Sequence, residues 1–376
     1  MMIKNTRWIV ALAFAAAACA SPKQETATGT DEAPQEEATT NTTTIQPVVV
    51  TDTTRHDTDD PAIWVHPEDP ARSLVLGTDK NEDGALYAFN LQGKIVARVD
   101  GLQRPNNVDV EYGLLLNGQP TDIAIVSERF THRVRVFSLP DLQPVDGGGI
   151  PAFEGETGTE FRDLMGIAAY KRPADGQVFA IVGRKNGPTD GTYLWQYALK
   201  DDGTGTVRGE LVRKFGQFSG LKEIEAIAVD DEQGFVYYSD ETVGVRKYHA
   251  DPEAGDEELA LFATGGFADD HEGISIYPTG PGTGYLLVSD QQADRFHIFS
   301  REGTETDPHD HQLLKIVDVA TTESDGSEVS PVAFNQQFAH GLFVAMSDNK
   351  TFQFYRWEDL AGDELQVARR EGMANR

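Results

Sequence analysis

Cysteine is almost absent from this sequence of 376 residues, in which Cys19 is the single example. No disulfide can therefore form within the chain. Basic residues are also scarce, since 32 Lys and Arg stand against 61 Asp and Glu and the net charge is −29. A surface with this charge repels nucleic acid and anionic membranes, so we expect neither as a partner. It also repels a highly anionic substrate, unless metal cations lie between the two.

Sequence patterns that mark several common enzyme classes are missing as well. The chain contains no GxSxG nucleophile motif, no HExxH zinc motif and no P-loop, so those enzyme classes are not supported. Helical periodicity is almost absent, whereas apolar and polar residues alternate in short runs between turn residues. This alternation is typical of strands, and the sequence therefore predicts an all-β fold.

The one long apolar run, Trp8–Ala18, lies near the N-terminus and follows two basic residues. It is too short for a membrane-spanning helix and is typical of an export signal, here over residues 1–19. The run ends in Ala-Ala-Ala-Cys and resembles the signal of bacterial lipoproteins, whose cysteine is lipidated after cleavage. We therefore expect lipidation at Cys19 and an outer-membrane or cell-surface lipoprotein. An ordinary secretory peptide on a periplasmic or secreted protein is the alternative.

Residues 20–47 are rich in Thr, Glu and Ala and contain hardly any large apolar side chains. A segment of this composition cannot bury a core, so we expect a disordered tether. Membrane contact would then be limited to the N-terminal lipid anchor.

Residues 48–365 contain a repeated hairpin pattern, and residues 366–376 form a tail. Strands with a polar tip recur at roughly 50-residue intervals, and each is followed by a second strand. The first strands are SLVLGTDK, DIAIVSER, VFAIVGRK, FVYYSDE, YLLVSDQ and LFVAMSD. Their partners are ALYAFNL, RVRVFSL, YLWQYAL, GVRKYHA, RFHIFSR and FQFYRWE.

A shorter strand precedes each hairpin. These strands are PAIWVHP, NVDVEYG, GIAAYK, AIAVDD, GISIYP and PVAFNQ. With a fourth strand after each hairpin, the pattern predicts a six-bladed β-propeller, whose blades surround a central channel. A pair of β-sandwiches without repeats is the alternative.

In a propeller the first strand of each blade lines the channel, so equivalent strand ends meet at one rim. The strand ends bring acids and amides to that rim, namely Asp59, Asp60, Asn106, Asn107, Asp163, Glu225, Asp270 and Glu272. The hairpin tips add Lys80, Arg129, Lys185, Glu241 and Asp348. The rim is therefore predicted to combine many carboxylates with three basic residues.

Carboxylates gathered at short range cannot all stay ionised without counter-cations. Oxygen ligands without cysteine favour Ca²⁺ or Mg²⁺ over zinc or copper. The basic residues instead suit phosphate or carboxylate oxygens, and Arg129 can bind such a group with two hydrogen bonds. Metal ions beside phosphate-binding cations would suit phosphoester hydrolysis. Any one of these acids could equally be a solvated loop charge, and the metal hypothesis depends on the group.

The segments DDPAIWVHPEDP and RPNNVDVEYG closely resemble paired signatures of the β-propeller phytases, also called alkaline phytases or 3-phytases. The resemblance continues in order through GTDKNEDGALYAFNLQGK, IVGRKNG, IEAIAVDDEQGFVYYSDE, DDHEGISIY, GYLLVSDQ and FVAMSD. It implies a phosphomonoester hydrolase that releases phosphate from phytate, myo-inositol hexakisphosphate, with calcium-bound water as the nucleophile. It also implies a site for a second phosphate and a calcium–phytate complex as the substrate.

The resemblance also implies roles for individual residues. Those that would bind several calcium ions, some through water, are Asp59, Asp60, Glu225, Glu241, Asp270 and Glu272, with Asp325 in a further acidic loop. Lys80, Arg129 and Lys185 would hold phosphate, and together with Glu225 and Glu241 they make up the implied catalytic set. We expect the protein to act as a monomer.

The chain departs from the family pattern at two places. Met165 stands before Gly166, where the family has a tyrosine that contributes a hydroxyl to the cleavage site. In the acidic loop, Asp325 and Gly326 remain, but Ser330-Pro331 replaces a second Asp-Gly pair. Two other functions stay open. One is a calcium-dependent propeller lactonase or esterase with Asn and Asp ligands deep in the channel, and the other is a non-catalytic surface-binding propeller.

Overall fold

The structure, a computed structural model, describes residues 40–368, and strands make up most of them. The first strands in chain order are β1 (Thr40–Ile45), β2 (Val49–Val50), β3 (Thr58–Trp64), β4 (Leu74–Asp79), β5 (Gly84–Asn90), β6 (Ile95–Leu102), β7 (Pro105–Leu116), β8 (Gln119–Glu128), β9 (Arg133–Ser138), β10 (Gln143–Pro144) and β11 (Ile150–Pro151). Then follow β12 (Leu164–Lys171), β13 (Val178–Arg184), β14 (Leu194–Asp201), β15 (Val207–Phe215), β16 (Ile227–Asp230), β17 (Phe235–Asp240), β18 (Gly244–His249) and β19 (Ala260–Phe262). The last are β20 (His271–Gly280), β21 (Thr283–Asp290), β22 (Arg295–Ser300), β23 (Leu313–Val319), β24 (Ser327–Ser330), β25 (Leu342–Ser347) and β26 (Thr351–Arg356).

These strands form six separate sheets, each a blade of a β-propeller. In order from the channel outward, the blades are β3–β6, β7–β10, β12–β15, β16–β19, β20–β23 and β24–β26. Strand β11 pairs with β9 beside the second blade. The predicted six-bladed propeller is therefore confirmed, and the alternative of two β-sandwiches is wrong.

Hydrophobic packing between blades holds the ring together. Among the described residues, each of six buried apolar clusters joins two neighbouring blades, and together they close the circle. Strand alternation makes this possible, because successive side chains point to opposite faces. In β3, for example, Ala62 packs toward the second blade and Ile63 toward the sixth.

Strands from the N-terminal side of the first blade complete the last two blades. Val49 of β2 pairs with Phe354 of β26, so β2 is the outer strand of the sixth blade. Strand β1 pairs in parallel with β23 of the fifth blade. The prediction of a disordered tether is therefore wrong for residues 40–45. This threonine-rich segment forms a strand that pairs with the open edge of the fifth blade. The rest of the predicted tether, before residue 40, lies outside the described residues.

The sixth inner strand also differs from the sequence prediction. PVAFNQ was expected to line the channel, but the inner strand is β24, which ends at Ser330. The next residue, Pro331, has no backbone N–H to donate to a ladder and therefore ends the pairing.

Within residues 40–368, helical structure is limited to the short helix α1 (Trp357–Ala361) and two 3₁₀ turns, Pro70–Arg72 and Gln291–Ala293. In the part of the chain that the structure describes, no helix combines the length and apolarity needed to cross a membrane.

Candidate active site

One backbone hydrogen bond is repeated in every blade and defines equivalent positions at one mouth of the channel. The residue at each hairpin tip donates its N–H to a carbonyl just before the inner strand of the same blade or at its start. The six bonds run from Lys80, Arg129, Lys185, Glu241, Gln291 and Asp348 to Asp57, Arg104, Asp163, Glu223, Asp270 and Thr322, at 2.8–3.4 Å. These two sets of residues form the outer part of the rim.

A second set of equivalent positions lies just inside the rim. Two residues after the carbonyl acceptor, or three in the sixth blade, the chain carries Asp59, Asn106, Met165, Glu225, Glu272 and Asp325. All six are buried or nearly so, and five of them are acids or amides. Met165 is the apolar exception, at the position where the family resemblance predicts a tyrosine.

Close approach of the inner strands brings these side chains together, and glycine permits it. A Cβ on Gly326 would lie 2.6 Å from the Cα of Asp60 and 2.8 Å from the carbonyl oxygen of Asp59. A Cβ on Gly166 would collide with the carbonyl oxygen of Glu225. Because no other residue fits such contacts, these glycines fix how tightly the neighbouring blades meet at the mouth.

One side of the mouth is an acidic arc, made up of Glu223, Glu225, Glu241, Asp270 and Glu272. Its carboxylates form two triads, Glu223–Glu225–Glu241 and Glu241–Asp270–Glu272, and within each triad one oxygen of every member lies within 4.8 Å of the others. Glu241 belongs to both triads, and its carboxylate therefore links them. Glu223 and Glu225 both lie in the loop that leads into β16, two residues apart.

The second triad is buried and only partly supplied with donors, since Lys222 Nζ pairs with Asp270 and lies 3.7 Å from Glu241 Oε2. Glu241, Asp270 and Glu272 are 1%, 3% and 4% exposed. Glu241 Oε1, Asp270 Oδ1 and Glu272 Oε2 have no hydrogen-bond partner among the described residues. Buried acceptors without donors are costly, and hard oxygen atoms at this spacing are the ligands that Ca²⁺ prefers. The residues present therefore fit a calcium site.

The protonation of these acids is also perturbed. Burial raises the pKa of Glu241 to about 9, and repulsion from Glu225 and Glu223 adds to the effect. Burial and the nearby Asp59 raise the pKa of Glu225 to about 8. Burial likewise raises the pKa of Glu272 well above its ordinary value. Such shifts mean that the acidic arc resists ionisation unless a cation compensates it.

The other side of the mouth is a basic arc, made up of Lys80, Arg104, Arg129 and Lys185. Lys80 Nζ lies 2.6 Å from Asp59 Oδ1 and 2.5 Å from Asp325 Oδ2. Burial alone would lower the pKa of Lys80, but Asp59, Glu225 and Asp325 outweigh it and raise that pKa. At the far end of the arc, Lys185 Nζ pairs with the carboxylate of Glu223.

Arg129 differs from the two lysines, because no carboxylate within the described residues lies within 4.0 Å of its guanidinium. Its Nε donates to the Leu164 carbonyl at 3.3 Å, and its Nη2 contacts Met165 Sδ. Burial lowers the pKa of Arg129 from its ordinary value, which leaves a desolvated guanidinium available to an anion.

Asn106 connects the two arcs. Its Nδ2 donates to Asp59 Oδ2 at 3.2 Å and to Glu225 Oε1 at 3.1 Å. These two bonds link Asp59, which pairs with Lys80 of the basic arc, to Glu225 of the first triad.

Asp60 lies deeper than the other predicted metal ligands. It accepts a hydrogen bond from the Val108 N–H at 3.1 Å and lines a channel cavity of about 130 Å³ together with Asn107, Asp109 and Glu328. Burial raises the pKa of Asp60 well above its ordinary value. Asp59 instead faces the rim, where it pairs with Lys80.

The structure thus brings Glu225, Glu241, Asp270 and Glu272 into one acidic arc and Asp59 and Asp325 onto Lys80, while it places Asp60 in the channel. Four rim residues were not singled out from the sequence: Arg104, Lys222, Glu223 and Gln291. No periodic signal points to Glu223, because it lies in the loop before β16. Lys222 Nζ pairs with Asp270, and Gln291 donates to Asp325. Cys19, the predicted lipidation site, lies outside the described residues.

Comparison with known proteins identifies the family. Residues 8–361 match the profile of the family described as Phytase. The chain is 28% identical over 320 residues to a 3-phytase of Bacillus subtilis (strain 168), covering 81% of this chain and 80% of that protein.

Two solved structures are also similar. One, described as the Dos1 propeller, is 12% identical with a TM-score of 0.40 and covers 83% of this chain and 69% of its own. The other, the computationally designed Ika4 protein, is 14% identical with a TM-score of 0.33 and covers 54% of this chain and 96% of its own. The family match extends over almost the whole described propeller, and the chain belongs to the phytase family of hydrolases.

Proposed function

We propose that the protein is a calcium-dependent 3-phytase that releases phosphate from myo-inositol hexakisphosphate by direct attack of water on phosphorus. The observation that carries the proposal is the arrangement of the channel mouth, where a buried acidic arc faces a basic arc. Family membership supports phytate hydrolysis, and the fit of the acidic arc to hard cations supports calcium.

The acidic arc would hold the calcium ions. Glu223, Glu225 and Glu241 would bind one ion and Glu241, Asp270 and Glu272 another, with Glu241 shared between them. When bound, calcium would lower the pKa of a water molecule and neutralise charge on the phosphate oxygens. The shared carboxylate of Glu241 would keep both ligand sets in a fixed relation to each other.

The basic arc would bind the substrate. Arg129 presents a planar guanidinium with no competing acid among the described residues, which suits two parallel hydrogen bonds to one phosphate. Lys80 and Lys185 would approach from either side of Arg129 and stabilise charge that develops on the equatorial oxygens. Asp59 and Asp325 would orient Lys80 through the ion pairs seen in the structure.

The net charge fits a substrate that arrives with calcium. A chain of charge −29 repels a free polyanion, whereas a calcium complex of that polyanion is screened. We further propose, from the N-terminal sequence pattern, that the protein is exported and anchored by lipid at Cys19. We also propose that it is active as a monomer. If the protein were a lactonase, the basic arc would have no role. If it were a non-catalytic binding propeller, the acids with raised pKa values would have no role.

Phosphate release from phytate tests the proposal. We expect release with calcium, almost none with chelator, and losses of about a hundredfold in Glu225→Ala and Lys80→Ala. The exposed pair Lys200 and Glu210 on the outer strands of the third blade provides controls, and Glu210→Ala and Lys200→Ala should keep full activity. Calcium-independent release, or undiminished release in both site variants, would reject the mechanism.

A further inference from the structure

Two glutamines, Gln291 and Gln292, lie side by side at the tip of the fifth blade, in the 3₁₀ turn Gln291–Ala293. At the position of Gln291, the other five tips carry charged residues, namely Lys80, Arg129, Lys185, Glu241 and Asp348. A neutral amide does not compensate a charge, but it can donate and accept hydrogen bonds at the same time. The tip of the fifth blade is therefore suited to linking charged groups to each other.

Gln292 holds Asp270 by two side-chain hydrogen bonds. Its Oε1 accepts from the backbone N–H of Asp270 at 2.8 Å, and its Nε2 donates to Asp270 Oδ2 at 2.7 Å. The backbone bond of this tip, from the Gln291 N–H to the Asp270 carbonyl, is 3.4 Å long and is the longest of the six. The side chain of Gln292 thus adds support at the tip where the backbone contact is weakest.

The two oxygens of the Asp270 carboxylate have different surroundings. Oδ2 accepts from Gln292 and pairs with Lys222, whereas Oδ1 is buried and has no hydrogen-bond partner among the described residues. A carboxylate that is held through one oxygen keeps its orientation and can offer the other oxygen to a cation. Gln292 therefore supports a member of the second triad from outside the triad.

Gln291 makes a similar contact to Asp325 in front of the sixth inner strand. Its Nε2 donates to Asp325 Oδ1, while Asp325 Oδ2 lies 2.5 Å from Lys80 Nζ. The Asp325 carboxylate is therefore held between an amide and an ammonium group. Its orientation helps to determine where the Lys80 ammonium group lies.

A further hydrogen bond joins the two glutamines. Gln292 Nε2 also donates to Gln291 Oε1 at 2.5 Å. One continuous chain of contacts therefore runs from Asp270 through both amides to Asp325 and Lys80. It connects the acidic arc to the basic arc by a route that does not include Asn106.

We propose that Gln291 and Gln292 are positioning residues, which orient Asp270 for calcium and Asp325 for its contact with Lys80. The inference rests on the proposed function, which assigns the second triad to calcium. Neither glutamine would touch the reacting atoms. Loss of an outer support costs about 10–100-fold in metal affinity. We expect the lower end of that range, because Gln292 is exposed and water can replace part of its hydrogen bonding.

Gln292→Leu removes the donor and the acceptor at nearly constant side-chain size. We expect the calcium affinity, measured by calorimetry, to fall about tenfold. The calcium concentration that half-activates phytate release should rise by the same factor, while kcat at saturating calcium stays close to the wild-type value. The melting temperature in chelator should not change, because Gln292 is exposed. A merely structural role would instead lower that melting temperature and leave the calcium affinity unchanged.

Gln291→Leu breaks the contact with Asp325 and should act on Lys80. We expect kcat/KM for phytate at saturating calcium to fall about tenfold, as for loss of one hydrogen bond to a charged group. Gln143→Leu, on the exposed outer strand β10, is the matched control and should change neither quantity. A wild-type calcium affinity in Gln292→Leu would overturn the inference for Asp270, and a wild-type kcat/KM in Gln291→Leu would overturn it for Asp325.

Calorimetry also separates this inference from the proposed activity, because calcium binding does not require hydrolysis. If the wild type releases no phosphate from phytate but Gln292→Leu still weakens calcium binding about tenfold, the proposed activity fails and the positioning of Asp270 stands. If the wild type hydrolyses phytate with calcium but binds calcium no more tightly than Gln292→Leu, the positioning of Asp270 fails and the activity stands.

Discussion

The acidic and basic arcs occupy equivalent positions of one repeat, but they differ in charge and in how their side chains are satisfied. At the hairpin tips, Lys80, Arg129 and Lys185 in the first three blades give way to Glu241, Gln291 and Asp348 in the last three. The acids of the second triad keep oxygen atoms without donors, whereas both lysines of the basic arc have carboxylate partners.

This difference shows how a symmetric fold produces an asymmetric site. The backbone bond at each tip is the same in all six blades, so the scaffold contributes position and not chemistry. The chemistry comes from which side chain each blade carries. The acids on one side need cations to compensate their charge, and the guanidinium and ammonium groups on the other side can bind phosphate.

Removing the carboxylate shared by both triads should have the largest effect. Glu241→Gln keeps the shape of the side chain but removes one charge from both ligand sets. We expect phytate hydrolysis to fall more than about a hundredfold, since loss of an outer-shell partner alone costs 10–100-fold in metal sites. Calcium affinity, measured by calorimetry, should fall as well. Glu210→Gln is the control, and a Glu241→Gln enzyme with wild-type rates would show that the triads are not a working unit.

Chelation should destabilise the protein through the acidic arc. A ligand that binds only the folded state adds stability, so we expect the melting temperature to fall by on the order of 5 °C when calcium is replaced by chelator. The change should be smaller in Glu225→Gln and Glu272→Gln, which carry fewer uncompensated acids. A melting temperature that chelator leaves unchanged would contradict calcium binding at this mouth.

Rising pH in chelator should weaken the fold for the same reason. The pKa of Glu225 is raised to about 8 and that of Glu241 to about 9, against an ordinary value of 4.5. At pH values between the ordinary and the raised pKa, the folded chain therefore binds more protons than the unfolded chain. Stability should therefore fall as pH rises from about 5 to about 9. Calcium should flatten this profile, and urea midpoints measured across the range will show whether it does.

The double variant Glu225→Gln, Glu241→Gln provides the comparison for the pH series. In chelator, the urea midpoint of this double variant should fall less steeply with pH than the urea midpoint of the wild type. The fall should not vanish, because burial also raises the pKa of Glu111 to about 8 and of Asp231 to about 7. A wild-type slope that is flat or of opposite sign would show that the acidic arc is already compensated within the protein.

The repeats were predictable from sequence because each hairpin combines period-2 alternation with a polar tip. The sequence prediction misplaces the sixth inner strand because PVAF is an apolar run of the kind that strands contain. Pro331 ends the hydrogen-bonded ladder there, but this effect depends on the partner strand and is not visible in the local sequence. Asp59 and Asp60 are predicted together at the mouth, but Asp59 pairs with Lys80 at the rim and Asp60 lines the channel cavity. The β3–β4 register is irregular between Thr58 and Pro61, and no sequence pattern announces that irregularity.

Other parts of the site could not be read from the sequence. The pairing of Lys185 with Glu223 and of Lys222 with Asp270 joins neighbouring blades, and it depends on blade spacing that no local pattern encodes. The same is true of Arg104, which looks like an ordinary loop residue until its backbone partners at Asn81 and Arg129 are known.

The smallest expected effect concerns Met165, at the boundary between the two arcs. Met165 is 1% exposed, and its sulfur contacts the Arg129 guanidinium. Met165→Leu keeps the volume and should change kcat/KM for phytate less than about threefold, because such swaps usually cost under 1.5 kcal/mol. Met165→Ala should be worse, since it leaves a cavity beside Arg129. If Met165→Leu instead removes activity while the protein melts normally, the sulfur itself orients Arg129. The boundary residue would then have a direct part in holding phosphate, in place of the hydroxyl that the family resemblance predicts there.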